Sequence, residues 1–280
     1  PKSIFFKTPN DSNKLIEEFM LLANKKVASL VSSNKPSYPF VYRVHDCPDE
    51  GKLFNLKQTI ASFGYNFNPE KKNISKTINN LLKDCNGKKA QNLIDTLILR
   101  SMSKAEYSSN NIGHFGLAFS YYTHFTSPIR RYPDILVHRL LQAYLEKKKS
   151  QTKEILEESC KHSSFREQLA TKAERESIKY MQMVFMQEKI GKEFFGVISG
   201  ITERSIYVEI IENKCEGMIR LTDFKKDFYK VDTRSHSIVG KYTSKVYHLG
   251  DSIKIKVKKV NVQKRFLDLT PSRNNILIYK

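Results

Sequence analysis

The apolar residues of this chain change their period at Gly191, and that change limits the fold more than any other feature. Downstream, segments 194–199, 205–211, 217–221, 252–260 and 266–270 alternate or are rich in β-branched residues, the pattern of short half-buried strands. Five such strands in so short a span fit a small closed barrel of OB type. Upstream, apolar residues recur three and four apart, which predicts helices over 15–31, 52–63, 74–82, 90–102 and 133–144. Most of 153–190 also reads as helix, with a break at 160–164. A short strand is expected at 40–44, closed by His45-Asp46-Cys47-Pro48, and 107–111 reads as loop. The expected class is therefore α+β: a helix-rich part over 1–190, a five-stranded barrel over 191–273 and a tail over 274–280.

Charge narrows the choice of partners. The 280 residues carry 48 Lys and Arg against 29 Asp and Glu, a net charge of +19, which favours nucleic acid, an acidic partner or a membrane surface. Membrane is disfavoured because no apolar run approaches the length of a transmembrane helix. Residues 251–280 hold eight Lys or Arg against two acids, so the barrel has a strongly basic end suited to single-stranded nucleic acid. A barrel used only as a spacer is the competing reading. Cys47, Cys85, Cys160 and Cys215 stand singly, without paired metal-ligand spacing, which suits a reduced cytoplasmic chain without zinc. The first residues contain no apolar signal-peptide core, and a start at Pro1 rather than Met suggests a trimmed chain.

The densest chemistry lies at Thr126-Ser127-Pro128-Ile129-Arg130-Arg131. Ser127 is a candidate cap for the amides that follow and Pro128 suits a first helical position, so the run reads as a short turn before the helix from about Pro133. A helix start attracts anions, and two neighbouring guanidinium forks match phosphate oxygens. Spacing alone leaves two readings open, a phosphodiester site and a solvated basic cap. Gly113 and Gly116 flank His114-Phe115 and allow a tight backbone approach. Other candidates favour structural readings. His45 beside Asp46 lacks a nucleophile, His138 fits a core position, Cys160 and His162 lack further ligands, and Met181 to Met186 reads as core filler. Glu17 fits a solvated carboxylate at the edge of the first helix.

Longer strings carry a resemblance. IEEFMLLAN at 16–24, YRVHDCPDEGKL at 42–53, LRSMSKAEYS at 99–108 and above all HFGLAFSYYTHFTSPIRRYPDILVHR at 114–139 resemble the C-terminal part of the catalytic domain in the ribonuclease R branch of the ribonuclease II (RNB) family. The barrel is similar to the RNA-binding domain first described in ribosomal protein S-one, and its insert with DFYKVD at 227–232 is similar to that of the same nucleases.

The resemblance implies a processive 3′-to-5′ hydrolytic exoribonuclease that releases nucleoside 5′-monophosphates from single-stranded RNA with a free 3′ end. It implies magnesium, whose aspartate ligands, spaced roughly D-x5-D-x-D-D in the family, are expected outside this chain, since Asp223, Asp227 and Asp232 have the wrong spacing. The chain alone is accordingly expected to bind RNA and hydrolyse little. On the matched motif, Arg130 takes the position of the catalytic arginine, Arg131 is expected to grip a phosphate or brace Asp134, Ser127 is counted among the RNA-binding residues, and Glu17 corresponds to a glutamate contacting the base near the 3′ end. In the barrel, Arg204-Ser205-Ile206-Tyr207-Val208 stands where the common pattern is Phe-Gly-Ala-Phe-Val, Arg220 replaces a frequent histidine, and Arg265 keeps a basic position. Arg204, Tyr207, Arg220 and Arg265 are the expected RNA contacts, leaning on charge and hence on salt. A cytoplasmic monomer, with the ribosome or mRNA decay factors as further partners, completes the expectation. The alternative is a non-catalytic single-stranded RNA-binding protein, which needs neither the Ser-Pro-Ile-Arg-Arg run nor Glu17.

Overall fold

A computed structural model of the chain describes residues 1–33, 38–61, 63–69, 73–88, 91–225, 227–232, 235 and 237–272. The expected tail over 274–280, and Arg273 at the end of the expected barrel, lie outside the described residues. In chain order the first elements are α1 (Asp11–Ser32), β1 (Tyr42–Val44), α2 (Glu50–Ala61), α3 (Ile74–Cys85), α4 (Gln91–Ser101), β2 (Glu106–Ser108), α5 (Tyr132–Leu145) and α6 (Lys153–Gln187). All later elements are strands apart from one 3-10 turn: β3 (Glu193–Thr202), β4 (Ser205–Ile210), β5 (Glu216–Arg220), β6 (Tyr229–Asp232), β7 (Ser237–Gly240), β8 (Val246–His248), β9 (Ser252–Asn261) and β10 (Phe266–Pro271). The chain divides into two compact units, one of 6–48 with 102–174 and one of 1–5, 49–101 and 175–280.

In the first unit Asn10 caps the start of α1. Asn10 and Asn13 exchange side-chain-to-amide hydrogen bonds of 2.9 and 3.1 Å, a capping box that satisfies two amides left open by helix geometry. Burial on α1 begins at Asn24 and continues through Ala28 and Val31. The expected apolar face is thus only half used, since Leu15, Ile16, Phe19 and Leu30 are exposed. Packing around Val31, Phe40, Tyr42, Val44, Tyr107, Leu136, Val137, Leu140 and Leu156 forms the core. Residues Tyr107 and Ser108, expected as loop, instead form β2 against β1, with Arg43 opposite Tyr107. A buried aromatic with its amide donating to Ser164 Oγ at 2.9 Å explains the strand.

No break interrupts α6. Ser163 and Ser164 point their hydroxyls back to the Ser159 and Cys160 carbonyls at 2.7 and 2.9 Å, so polar residues that suggest a loop in sequence are absorbed by the helix itself.

In the second unit the five expected strands close into a barrel with the order β10-β5-β4-β3-β9. Ile198, Ile206, Val208, Ile219, Ile255 and Leu269 fill it. Met183 and Met186 of α6 and Leu93 of α4 belong to the same core, whereas Met181 is exposed. The insert between β5 and β9 holds a three-stranded antiparallel sheet, β6-β7-β8, that the sequence reading missed. Each strand has only three or four residues, and its one legible signal is the inward set Tyr229, Val231, Ile238 and Tyr247.

Candidate nucleic-acid interface

The segment 122–131 owes its path to buried polar bonds. Asn24 of α1 donates to the Tyr122 hydroxyl at 3.2 Å and accepts the Phe125 amide at 3.0 Å, while Thr123 Oγ1 donates to the Val41 carbonyl at 2.7 Å. Gly116 comes so close to His45 that a Cβ would stand 2.8 Å from Nδ1, where the Gly116 N–H already donates at 3.0 Å. His45 Nδ1 is thereby an acceptor, so its Nε2 carries the proton and donates to the Ser103 carbonyl at 2.9 Å. The structural reading of His45 is the one this geometry matches. His138 is exposed rather than in the core, stacked on Phe125 at 4.0 Å and bonded to the Phe125 carbonyl.

At the end of this segment lies the arginine turn. The Ser127 carbonyl accepts the Arg130 and Arg131 amides at 3.3 and 3.1 Å, closing a turn over Pro128–Arg130 before α5 begins at Tyr132. Ser127 caps with its backbone carbonyl, and the side-chain cap foreseen from sequence is replaced by Asp134. That carboxylate is fully buried and accepts the Ser127 N–H at 2.7 Å and Arg131 Nη2 at 2.8 Å. Because Asp134 sits in the first turn of α5, one charge ties turn, guanidinium and helix start together. Arg131 is thus neutralised inside the protein. Arg130 is exposed and has no ion-pair partner among the described residues. Thr126 Oγ1, Arg131 Nε and Asp134 Oδ1 are buried without a partner among the described residues.

Neutral rings back this turn. Burial drives the His124 imidazole down to about 3, helped by the Arg131 and Arg43 guanidinium groups, and burial with His45 and Arg43 takes His114 to about 4. Burial also raises the Tyr107 hydroxyl to about 12, so it is the donor in its 2.9 Å bond to His124 Nδ1. Neither imidazole carries charge near neutral pH, and the positive field here belongs to the arginines. Arg43 lies over the Tyr107 ring at 4.6 Å and grips Glu167 through both Nη atoms, at 2.6 and 2.8 Å. The bracing of Asp134 expected of Arg131 is the bond seen here, whereas the second role of that carboxylate, accepting the Ser127 N–H, was not read from the sequence.

Glu17 stands exposed on α1, seven residues and hence about two turns before Asn24 on the same helix face. The remaining predicted contacts lie in the second unit. Ser205 of β4 pairs with Arg220 of β5 and Tyr207 with Met218, so Tyr207 and Arg220 share the outer face while Ile206 and Ile219 fill the barrel. Arg204 is exposed in the turn before β4, and its carbonyl accepts the Leu221 amide at 3.0 Å. These three residues cluster at one end of the β4–β5 pair. Arg265 stands apart on the β9–β10 turn with a φ of 51°, its Nε 2.9 Å from Glu176 of α6.

Among the described residues no group of three or more His, Cys, Asp or Glu is arranged to hold a metal ion. Asp134 is committed to Ser127 and Arg131, Asp223 to Lys258 at 2.9 Å, and Asp227 to the amides of Phe228, Tyr242 and Thr243 and the Thr243 hydroxyl. These acids do not fit a magnesium site. Nor is any helix among the described residues long and apolar enough to cross a membrane.

The stretch that holds the arginine turn and the stretch that forms the barrel each match a family model. The RNB domain model matches residues 1–147 and the S1 RNA binding domain model matches residues 187–270. With more than half of its 280 residues in the first match, the chain belongs to the RNB family. It is 39% identical to ribonuclease R of Aquifex aeolicus over 94% of this chain and 38% of that protein. It is also similar to the apo form of Mycoplasma genitalium RNase R, with a TM-score of 0.86, 30% identity and coverage of 95% of this chain and 42% of that one. The same enzyme in complex with ribose methylated single-stranded RNA matches with a TM-score of 0.85 and 30% identity over 96% of this chain and 43% of that one. The chain therefore spans less than half the length of these relatives.

Proposed function

We propose that this chain works as the RNA-gripping and charge-neutralising part of a 3′-to-5′ hydrolytic exoribonuclease acting on single-stranded RNA. One observation carries the reading: Arg130 is presented to solvent on a turn fixed by buried Asp134, while its neighbour Arg131 is consumed by that same carboxylate. A guanidinium carried on a backbone fixed in this way is free to meet a phosphodiester and opposes the negative charge that grows on the scissile phosphate. Ser127 and Arg131 hold the turn that presents Arg130, and Glu17 serves as a contact to a base near the 3′ end.

Residues 1–190 carry this catalytic part and 191–273 the barrel, whose Arg204, Tyr207 and Arg220 form one patch for backbone charge and base stacking, with Arg265 at its turn. Hydrolytic magnesium is assigned to aspartates outside these 280 residues, on the same or another polypeptide. Four unpaired thiols suit a reducing cytoplasm.

The test has two arms. The pure chain should bind poly(A) with an affinity that falls steeply with salt, and should degrade it slowly or not at all with magnesium. In an enzyme completed with the aspartate-bearing segment, Arg130→Ala should cut turnover about a hundredfold with little change in affinity. Rapid degradation by the chain alone, or equal losses of turnover and affinity in Arg130→Ala, overturns the assignment.

A further inference from the structure

The barrel insert carries a second feature that the barrel face does not explain. Phe228 and Tyr242 are 72% and 69% exposed, although rings of this size are normally covered. They stand edge to face with centroids 6.1 Å apart at the start of β6 and just after β7. The Lys241 amide donates to the Phe228 carbonyl at 2.8 Å, and Lys241 Nζ lies 5.3 Å from the Tyr242 ring centroid.

The mounting of these rings is rigid. Asp227 is buried beneath them and accepts the Phe228 amide at 2.7 Å, the Tyr242 amide at 3.0 Å and the Thr243 amide at 2.8 Å, with the Thr243 hydroxyl as a fourth donor. Gly240 makes room for it, since a Cβ there would run into the carboxylate. On the inner side Phe224, Tyr229 and Tyr247 pack ring against ring into the barrel core. Core packing thus consumes the inward aromatics, while the outward pair stays outside the core formed by the described residues. Lys241 beside Tyr242 and Lys230, two residues from Phe228 along β6, are exposed, whereas Asp227 is buried and spoken for and Asp232 at the far end of β6 accepts the Ser235 hydroxyl.

We propose that Phe228 and Tyr242 form a base-stacking platform for single-stranded RNA, separate from the Arg204–Tyr207–Arg220 patch, with the neighbouring lysines on the sugar-phosphate backbone. Exposed rings interleaved with lysines are the surface that binds single strands irrespective of sequence, because every base offers a π-face and every linkage a charge. An apolar protein partner would not call for lysines around the rings. The inference rests on the proposed RNA-binding function and adds a second anchor to it.

Poly(A) binding by the 280-residue chain tests this. Phe228→Ala with Tyr242→Ala should weaken affinity roughly tenfold, the low end of the loss of one stacked base, and Arg204→Ala with Tyr207→Ala should weaken it independently. Since the chain has no tryptophan, Phe228→Trp supplies a unique fluorophore that poly(A) should quench. Unchanged affinity in the platform variant and an unquenched Trp, with the barrel variant still weakened, would overturn the platform alone and leave the rings to a protein partner. Failure of the unaltered chain to bind poly(A) would overturn the RNA-binding reading and the platform with it.

Discussion

Replacing Asp134 should damage the first unit far more than any other single charge change. Its carboxylate is fully buried, and the Arg131 side chain it neutralises is only 19% exposed. A buried ion pair adds little net stability while both partners are present, because each charge has left water. Removing one partner is different: Asp134→Ala strands a guanidinium and the Ser127 N–H, at a combined cost of about 4 kcal/mol. Asp134→Asn keeps shape and one acceptor but not the charge, and should cost about 2 kcal/mol. With a urea slope near 2 kcal/mol per molar, the midpoint of the first unit should fall by about 2 M for Ala and about 1 M for Asn. Near-ultraviolet circular dichroism of the tyrosines reads the transition. Adding Arg131→Ala to Asp134→Ala should recover part of the loss, since no stranded charge remains. A midpoint for Asp134→Asn within about 0.2 M of the unaltered protein, or strict additivity in the double variant, would refute the claim that this pair organises the arginine turn.

Two further predictions concern pH. His124 and His114 are held down at about 3 and about 4 against an ordinary 6.5, so unfolding takes up protons as pH falls below 6.5. Their contribution to the stability of the first unit should be complete above pH 6.5 and lost progressively toward pH 3, and His124→Gln should flatten that acid limb in urea titrations at stepped pH. Asp227 behaves in the opposite chemical sense but with the same slope: burial pushes it up, yet bonds from the Thr243 hydroxyl and the Thr243, Tyr242 and Phe228 amides win and hold it at about 2 against 3.8. The order of the insert should therefore persist above pH 3.8 and fade as pH falls toward 2, read from the Tyr242 and Thr243 amide resonances; resonances that stay dispersed at pH 2 would contradict it.

What the sequence disclosed and what it hid divide along the range of the interactions. The five barrel strands were legible because each alternates against a core face, and that signal lies within the strand itself. Ser163 and Ser164 misled in the opposite direction: polar residues read as a break when their hydroxyls bond one turn back along the same helix. The insert sheet escaped notice because strands of three or four residues carry too little alternation, and their partners are brought in by Phe224, Tyr229 and Tyr247 clustering across the insert. At the arginine turn, spacing alone could not separate a phosphate site from a solvated cap, for the difference between Arg130 and Arg131 is not in their chemistry. It is made by Asp134, which folds back on Ser127 and takes one guanidinium out of solvent while leaving the other in it. Two adjacent, chemically identical side chains thus acquire different tasks from a single buried acceptor, and exchanging Arg130 and Arg131 in function would require moving that acceptor rather than either arginine.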